Sequence, residues 1–198
     1  MSYGSRMRII GGEWRGRKLE VPKGIRPMLD RERERLFAIL GPGIVGTRVL
    51  DLFSGTGAIG LEALSRGAAL CTSMENGHRV LPVLKRNIAE LDPGTRHRLI
   101  PLSAFRLDNL PPADPYDIVI AAPPFPLLRD EEWRDRFHAL FAQILSKVLT
   151  PGGIFVLEMP AELDPAEVTG LGPAEDRRKT ASSVIAFWTR PGSDSVPG

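Results

Sequence analysis

The segment from Val49 to Ala63 constrains the fold of this chain more than any other. An apolar run, Val49–Phe53, leads into a glycine-rich turn and then into residues with helical spacing. A run without a polar face is typical of a parallel strand that is covered on both sides. Gly55 and Gly57 have no Cβ, so the turn can be tight and its backbone can come close to a ligand. The segment therefore predicts a strand, a ligand-binding turn and a helix.

Strands and helices alternate along the rest of the chain. The predicted strands are Arg48–Phe53, Ala69–Glu75, Arg98–Leu102, Tyr116–Ala121, Ile154–Glu158, Arg177–Ala181 and Val184–Trp188. The predicted helices are Asp30–Leu40, Ala58–Arg66, Arg79–Leu91 and Glu131–Leu149. This order predicts an α/β fold with a doubly wound, mostly parallel, seven-stranded sheet whose last two strands form an antiparallel hairpin.

The carboxyl ends of the predicted strands carry a pattern for an adenosine-type ligand. In doubly wound sheets ligands bind beyond these ends. Gly55, Gly57 and Gly60 match the spacing G-x-G-x-x-G, and Glu75 ends the next strand. In dinucleotide sites an acid at this place bonds the ribose hydroxyls. The pattern suits S-adenosylmethionine equally well, so a methyltransferase and a nicotinamide-dependent oxidoreductase both remain open at this point.

Three features favour the methyltransferase. A dehydrogenase of this kind needs a further substrate domain, for which 198 residues leave little room. Asp51, just before the glycine turn, is not part of the dinucleotide pattern. The strand Tyr116–Ala121 runs directly into a Pro-Pro-Phe phrase. We therefore keep the oxidoreductase only as a distant alternative.

Two phrases of the chain resemble a known family. Residues 51–57, together with residues 60–68, look like the cofactor motif of class I methyltransferases. They are most similar to the bacterial small-subunit (16S) ribosomal RNA guanine-N2 methyltransferases. The resemblance continues through residues 7–19, Arg26-Pro27, Asp30-Arg31, Arg33-Glu34 and Asn87 and covers nearly all of residues 7–190. It implies a Rossmann-like fold, S-adenosylmethionine as the cofactor, and small-subunit ribosomal RNA or a 30S assembly particle as the partner.

The resemblance also implies which residues hold the cofactor. Asp51 and the backbone of residues 55–57 would hold its amino-acid end. Glu75 would take the ribose hydroxyls, and Asn76 would lie beside the adenine. Ser103-Ala104 matches the position that meets the adenine edge, where the family usually has Asp or Asn. The full predicted set is Asp51, Ser54, Gly55, Thr56, Gly57, Glu75, Asn76, Ser103 and Ala104.

The predicted catalytic phrase departs from the family pattern at one residue. Enzymes that methylate an exocyclic amine typically carry Asp or Asn, then Pro-Pro and an aromatic residue, whereas this chain has Ala122, Pro123, Pro124 and Phe125. A side-chain oxygen and a backbone carbonyl would accept the amino hydrogens and aim the nitrogen at the methyl group. The aromatic ring would stack on the flipped base. Ala122 has no oxygen, so a slow methyltransferase, an RNA-binding or ribosome-assembly protein without turnover, and a chain altered at this position all remain open.

Positive charge is concentrated at the start of the chain. Residues 1–29 carry seven basic and two acidic side chains, although the formal net charge of the whole chain is only +2. Glycines between short apolar pieces predict a small β-ribbon there. The asymmetry favours a polyanion partner, and a solubilising segment is the alternative. We interpret residues 1–27 as an RNA-binding extension, residues 28–190 as the methyltransferase domain and residues 191–198 as a disordered tail.

The predicted RNA contacts lie in the ribbon and at the start of the first helix. They are Arg8, Trp14, Arg15, Arg17, Lys18, Arg26, Arg31 and Arg33. Arginine and lysine would neutralise phosphates, and Trp14 would either stack on an exposed base or pack under the ribbon. For the helix arginines the alternative is a solvated face paired with neighbouring glutamates.

Other classes of function lack their usual pattern. No run of 18 apolar residues predicts a membrane span, and the N-terminus lacks an apolar signal core. Cys71 is the only cysteine, which excludes an intrachain disulfide and predicts a buried strand residue. His78, His97 and His138 show no metal-ligand spacing, so no metal site is expected. We therefore expect a cytoplasmic protein, and nothing in the sequence requires more than a monomer.

Overall fold

The computed structural model describes residues 7–22, 24, 28–110, 115–180 and 182–192. The chain forms two compact units, residues 1–103 and residues 104–198. The predictions for Arg26 and for residues 193–198 lie outside the described residues. Among the described residues, every helix is too short or too polar to cross a lipid bilayer.

The first unit contains a three-stranded parallel sheet and a small antiparallel ribbon. Its strands are β1 (Met7–Arg8), β2 (Lys18–Leu19), β3 (Arg48–Leu52), β4 (Leu70–Met74) and β5 (His97–Ile100). Its α-helices are α1 (Asp30–Leu40), α2 (Ala58–Ser65) and α3 (Leu81–Leu91). Strand β4 lies between β3 and β5 and is parallel to both. Strands β1 and β2 form the predicted ribbon, with Met7 opposite Leu19.

Apolar residues at the predicted positions form the core of the first unit. Val49, Leu50 and Leu52 are fully buried, which confirms that β3 is covered on both faces. Helix α1 has the predicted bounds and buries Leu36 and Phe37 against this core. It ends where Gly41 adopts a positive φ of 53°, which has no steric cost for glycine.

The second unit contains a four-stranded mixed sheet. Its strands are β6 (Tyr116–Ala121), β7 (Leu149–Pro160), β8 (Asp176–Lys179) and β9 (Ser183–Thr189). Its α-helices are α4 (Phe125–Arg129), α5 (Arg134–Gln143) and α6 (Pro165–Thr169). Strands β6 and β7 are parallel, and β9 is antiparallel to both β7 and β8. The predicted C-terminal hairpin is therefore confirmed.

One predicted helix, Glu131–Leu149, is wrong in its extent. The segment consists of a 3₁₀ turn over Glu131–Trp133, then α5, then a π-helical turn over Ile144–Val148. Leu149 already belongs to β7. The apolar spacing predicted one long helix because Phe137, Phe141 and Ile144 are all buried, although the winding of the backbone changes between them.

The two sheets together carry the seven predicted strands of the α/β fold. Six of the strand positions are the expected ones within one or two residues, and β7 is longer at both ends than the predicted Ile154–Glu158. The mostly parallel α/β architecture predicted from the sequence is confirmed.

Candidate functional site

Asp51 lies fully buried near the carboxyl end of β3, and one of its oxygens is unpaired. Its Oδ2 accepts a hydrogen bond from the Gly60 amide at 3.1 Å. Its Oδ1 has no hydrogen-bond partner among the described residues. Burial raises the pKa of Asp51 to about 7, against the lowering effect of the Gly60 amide. Because an unpaired buried carboxylate oxygen is costly, Oδ1 is well suited to receive a cationic group.

Helix α2 comes this close to Asp51 because Gly60 has no side chain. A Cβ at Gly60 would lie 2.6 Å from the Cys71 sulfur and 3.0 Å from Asp51 Oδ2. The third glycine of the G-x-G-x-x-G pattern therefore serves helix–strand packing, as it does in nucleotide-binding folds.

The turn after β3 has an unusual backbone. Gly55 and Gly57 have φ values of 56° and 80°, so the first two glycines of the pattern adopt the left-handed region. Phe53 also has a positive φ, of 57°, which is rare for a bulky residue and which sequence reasoning missed. Ser54 is buried, and its Oγ donates to the Asp51 carbonyl at 2.7 Å. Strained residues of this kind cluster at ligand-binding sites.

Glu75 follows β4 and holds the glycine turn. Its Oε2 accepts the Gly55 amide at 2.8 Å. Its Oε1 accepts the amides of Asn76 at 2.9 Å and Gly77 at 2.7 Å. Gly55 and Glu75, each predicted from the sequence to hold the cofactor, are thus brought together. A carboxylate has about four acceptor sites, so Glu75 retains capacity for further donors such as hydroxyl groups.

The other predicted cofactor residues differ in exposure. Thr56 is buried, with its Oγ1 3.5 Å from the Met7 sulfur. Asn76 lies on the protein surface beside the Glu75 carboxylate. Ser103 is half-buried at the end of the first unit. Ala104 is buried and begins a 3₁₀ segment of the second unit.

The Pro-Pro-Phe phrase follows β6 directly. Ala122 is half-buried and Pro123 is buried. Phe125 is half-buried and is the first residue of α4, and the Pro124 carbonyl accepts the Leu127 amide at 2.9 Å. The two prolines fix the backbone that leads into this helix, where a missing amide donor is harmless.

The nearest carboxylates along the described part of the chain, Asp117 and Asp130, are not placed to act for Ala122. Asp117 lies at the other end of β6. Asp130 Oδ1 accepts the Glu132 amide at 3.0 Å and so caps the following turn. The ring of Phe125 has the Arg129 guanidinium 5.8 Å from its centroid. The phrase therefore offers an aromatic ring and backbone oxygens, but no acidic side chain of its own.

The predicted RNA contacts divide into exposed and buried side chains. The exposed ones are Arg8, Arg15, Arg17, Lys18 and Arg31. Trp14 is only 7% exposed and lies under the Arg96 guanidinium, 5.2 Å from ring centroid to Cζ. This position matches the alternative in which Trp14 packs under the ribbon rather than stacking on a base.

Arg33 lies inside the protein instead of on the surface. Its guanidinium donates to the carbonyls of Arg8 at 2.6 Å and Met28 at 3.2 Å, and to Asp30 Oδ1 at 3.0 Å. Burial lowers its pKa. The side chain is fully buried, so Arg33 holds the ribbon to α1 and is not available to a phosphate. The sequence suggested a solvated helix face because residues 30–35 alternate between acidic and basic side chains, with no apolar residue among them.

Sequence reasoning missed the polar side chains that anchor the ribbon. Glu62 is fully buried on α2 and accepts the amides of Ile10 at 2.7 Å and Gly11 at 2.8 Å. Ser65 accepts the Trp14 amide at 2.9 Å. These partners are more than 50 residues apart in the chain, so no local pattern indicates them.

The side chains of His97 and Cys71 contact other side chains of the protein interior. Ser73 Oγ lies 3.0 Å from His97 Nε2, and burial lowers the pKa of His97 to about 4. Cys71 is buried, and burial raises the pKa of its thiol. Within the part of the chain that the structure describes, no group of three His, Cys, Asp or Glu side chains could hold a metal ion.

A comparison with known proteins identifies the family of this chain. A family model described as "Conserved hypothetical protein 95" matches residues 7–189. The chain belongs to this family. The family membership that the two sequence phrases suggested is thereby confirmed.

Two relatives and one solved structure show what the chain is similar to. It is 46% identical over 126 residues to Ribosomal RNA small subunit methyltransferase D of Escherichia coli (strain K12), a match that covers 63% of each chain. It is 41% identical over 123 residues to the Haemophilus influenzae protein of the same name, with 60% of this chain and 64% of the relative covered. The chain thus matches slightly less than two thirds of the length of these relatives.

The solved structure named "Putative methyltransferase yhhF from Escherichia coli" is similar over nearly the whole chain. The TM-score is 0.77 at 32% identity, and the match covers 96% of this chain and 100% of that chain. This agreement confirms the doubly wound, Rossmann-like α/β fold.

Proposed function

We propose that this protein is an S-adenosylmethionine-dependent methyltransferase that modifies the N2 amine of a guanine in small-subunit ribosomal RNA, either free or in a 30S assembly particle. The observation that carries this proposal is the buried, unpaired Oδ1 of Asp51 at the start of the glycine turn. The relatives named Ribosomal RNA small subunit methyltransferase D support the choice of RNA as the substrate.

The residues of the turn fit S-adenosylmethionine better than a dinucleotide. A pyrophosphate needs free amide donors, but the Gly55 amide donates to Glu75 and the Gly57 amide donates to the Ser54 carbonyl. The unpaired oxygen of Asp51 would repel a phosphate and attract a cation. A nicotinamide-dependent oxidoreductase is therefore disfavoured by the donors and acceptors that are present.

Each residue of the proposed cofactor site has a definite task. When bound, S-adenosylmethionine supplies a methyl group on a positively charged sulfur. Asp51 Oδ1 binds the ammonium group of the amino-acid end, and the left-handed backbone at Gly55 and Gly57 leaves room for that end. Glu75 accepts a ribose hydroxyl at the acceptor site that its three amide bonds leave, and Asn76 lies beside the adenine. We further assign Ser54 and Thr56 to the support of the turn, and Ser103 and Ala104 to the adenine edge.

The Pro-Pro-Phe phrase would receive the base. The half-buried ring of Phe125 leaves part of its surface for stacking on an extruded guanine. Backbone carbonyls held by Pro123 and Pro124 would accept hydrogen from the exocyclic amine, which aims its nitrogen and stabilises the positive charge that develops there.

The exposed cations of the ribbon would bind the phosphates of the RNA. Arg15 and Lys18 are exposed on the ribbon, and Arg8 and Arg31 add positive charge near the start of α1. Such contacts fix the register of a nucleic acid without reading its sequence. We keep residues 1–27 as the RNA-binding extension and residues 28–190 as the methyltransferase domain.

A second candidate function is an RNA-binding or ribosome-assembly protein with weak or no turnover. The specific observation in its favour is Ala122, which has no oxygen to accept the amine hydrogens. Loss of one well-placed polar group of this kind costs about 10²–10³ in rate, by analogy with an oxyanion-hole donor. Cofactor binding and RNA binding would survive this loss.

Methyl transfer from radiolabelled S-adenosylmethionine to undermethylated small subunits tests the two functions together. Label in the ribosomal RNA supports the methyltransferase. Salt-dependent RNA binding without label supports the second function. Calorimetry with S-adenosylhomocysteine and with NADH is the control, because binding of NADH alone would contradict both.

A further inference from the structure

The basic ribbon and the glycine turn share one buried side chain, Asn87 of α3. It is 2% exposed and uses both ends of its amide. Its Oδ1 accepts the Glu20 amide at 2.8 Å, and its Nδ2 donates to the Glu20 carbonyl at 3.1 Å and to the Thr56 carbonyl at 2.9 Å. Glu20 directly follows β2, and Thr56 lies in the glycine turn. Asn87 therefore connects the ribbon to the turn.

Further contacts make the position of the turn depend on the same two elements. Thr56 Oγ1 lies 3.5 Å from the sulfur of Met7, which is part of β1. A Cβ at Gly57 would lie 2.4 Å from Leu84 Cδ1 on α3. The turn thus packs closely against α3 at Gly57 and against the ribbon at Thr56.

The cationic part of the ribbon is anchored on the same helix. Arg17 donates to the Glu90 carbonyl at 2.7 Å, and Arg86 donates to Glu20 Oε2 at 2.9 Å. Lys18 lies two residues and Arg17 three residues before Glu20, whose backbone Asn87 holds. A phosphate bound by these cations would therefore restrain the stretch of backbone that Asn87 contacts.

We infer that Asn87 is a positioning residue through which RNA on the ribbon strengthens cofactor binding at the glycine turn. The inference rests on the proposed function. RNA bound to the ribbon further restrains the ribbon backbone, this backbone holds Asn87, and Asn87 holds the Thr56 carbonyl, so the cofactor meets a turn that is already arranged. By linkage, the cofactor strengthens RNA binding by the same factor.

Calorimetry of S-adenosylhomocysteine with and without a saturating hairpin of small-subunit ribosomal RNA tests this coupling. For the wild-type chain the RNA should tighten the binding of S-adenosylhomocysteine about fivefold or more. Asn87→Ala should weaken binding about tenfold without RNA, and its ratio of the two dissociation constants should fall to about one.

Ser65→Ala is the matched control. Ser65 Oγ accepts the Trp14 amide and donates to the Gly11 carbonyl, so its removal also loosens the ribbon, but both of these partners lie in the ribbon and not in the glycine turn. This variant should lower the melting temperature as Asn87→Ala does and should keep the coupling. A loss of coupling in both variants would mean that the effect is only a loss of stability and would overturn the inference.

A second variant and a second readout cover the case in which Asn87→Ala does not fold. Asn87→Asp has the same shape and keeps the acceptor for Glu20, but it lacks both donors and should also lose the coupling. In the wild-type chain, RNA should slow the hydrogen exchange of the Gly57 amide. Unchanged exchange on RNA binding would contradict the inference without any substitution.

The outcomes separate this inference from the proposed function. A wild-type chain that binds both ligands with no mutual effect, or an Asn87→Ala chain that keeps the full effect, overturns the inference alone. A wild-type chain that does not bind S-adenosylhomocysteine overturns the proposed function, and the inference with it.

Discussion

The glycine turn after β3 and the Pro-Pro-Phe phrase after β6 differ in how much polar chemistry they retain. In the turn, Asp51 and Glu75 are both present, and their oxygens hold the backbone or remain open for a ligand. In the phrase, all four side chains, those of Ala122, Pro123, Pro124 and Phe125, are apolar and carry no oxygen. The comparison teaches that the two proposed tasks, cofactor binding and substrate activation, can be tested separately, because their residues follow different strands.

The largest expected effect comes from restoring the missing oxygen. Ala122→Asp should raise the rate of methyl transfer about 10²–10³-fold under single-turnover conditions, because the new carboxylate accepts hydrogen from the guanine amine. Ala122→Val, which adds bulk without an oxygen, should give no gain. If Ala122→Asp binds cofactor and RNA normally but is no faster, the phrase does not act on the amine.

Removing the buried guanidinium at Arg33 should produce the next largest effect. Arg33→Met leaves the Arg8 and Met28 carbonyls and the Asp30 carboxylate without their donor. We expect a loss of about 3 kcal/mol in the free energy of unfolding, measured by denaturant titration. The exposed Arg31→Met is the control and should change stability by less than about 0.5 kcal/mol. Similar losses in both variants would argue against a scaffold role for Arg33.

Neutralising Asp51 should weaken cofactor binding while it leaves the fold intact. Asp51→Asn keeps the shape and an acceptor but loses the charge, so the dissociation constant of S-adenosylhomocysteine should rise about 10- to 100-fold in calorimetry. Asp164→Asn removes a carboxylate that caps α6, where asparagine caps equally well, and should leave the constant unchanged. If the wild type and Asp51→Asn bound S-adenosylhomocysteine equally well, the assignment of the glycine turn as the cofactor site would be wrong.

Much of this architecture was predictable from the chain, and the errors have identifiable physical causes. Helix α1 and strand β6 have the predicted bounds, because periodic apolar residues and clear breakers define them. The short helices α4 and α6 were missed, since five residues are too few to show a period. Pro165 after the capping Asp164 was the available signal for α6.

Long-range polar contacts were outside the reach of sequence reasoning. The placement of Asp51, the glycine turn and Glu75 at the carboxyl ends of neighbouring strands follows from topology and was predicted. The burial of Arg33 and the anchoring of the ribbon by Glu62 and Asn87 depend on which side chains meet across the first unit. A charged residue in a polar stretch gives no local sign that it will be buried.

The smallest expected effect concerns the ribbon. Replacing Arg15 and Arg17 by glutamine should weaken RNA binding about tenfold at low salt and reduce the slope of log affinity against log salt by about 0.7 for each charge. Arg134→Gln in α5 is an exposed control, paired with Glu131, and should leave the slope unchanged. An unaltered slope in the ribbon variant would mean that RNA binds elsewhere.

The pH dependence of cofactor affinity tests the central assignment most directly. Burial raises the pKa of Asp51 to about 7, whereas the unfolded value is 3.8, so below pH 7 the empty protein holds Asp51 protonated. A cationic ligand needs the ionised form, and binding must then release this proton. The affinity of the wild-type chain for S-adenosylhomocysteine should therefore fall about tenfold per unit below pH 7 and level off above it. Asp51→Asn should show no such change, and an identical pH profile for the two chains would contradict the account.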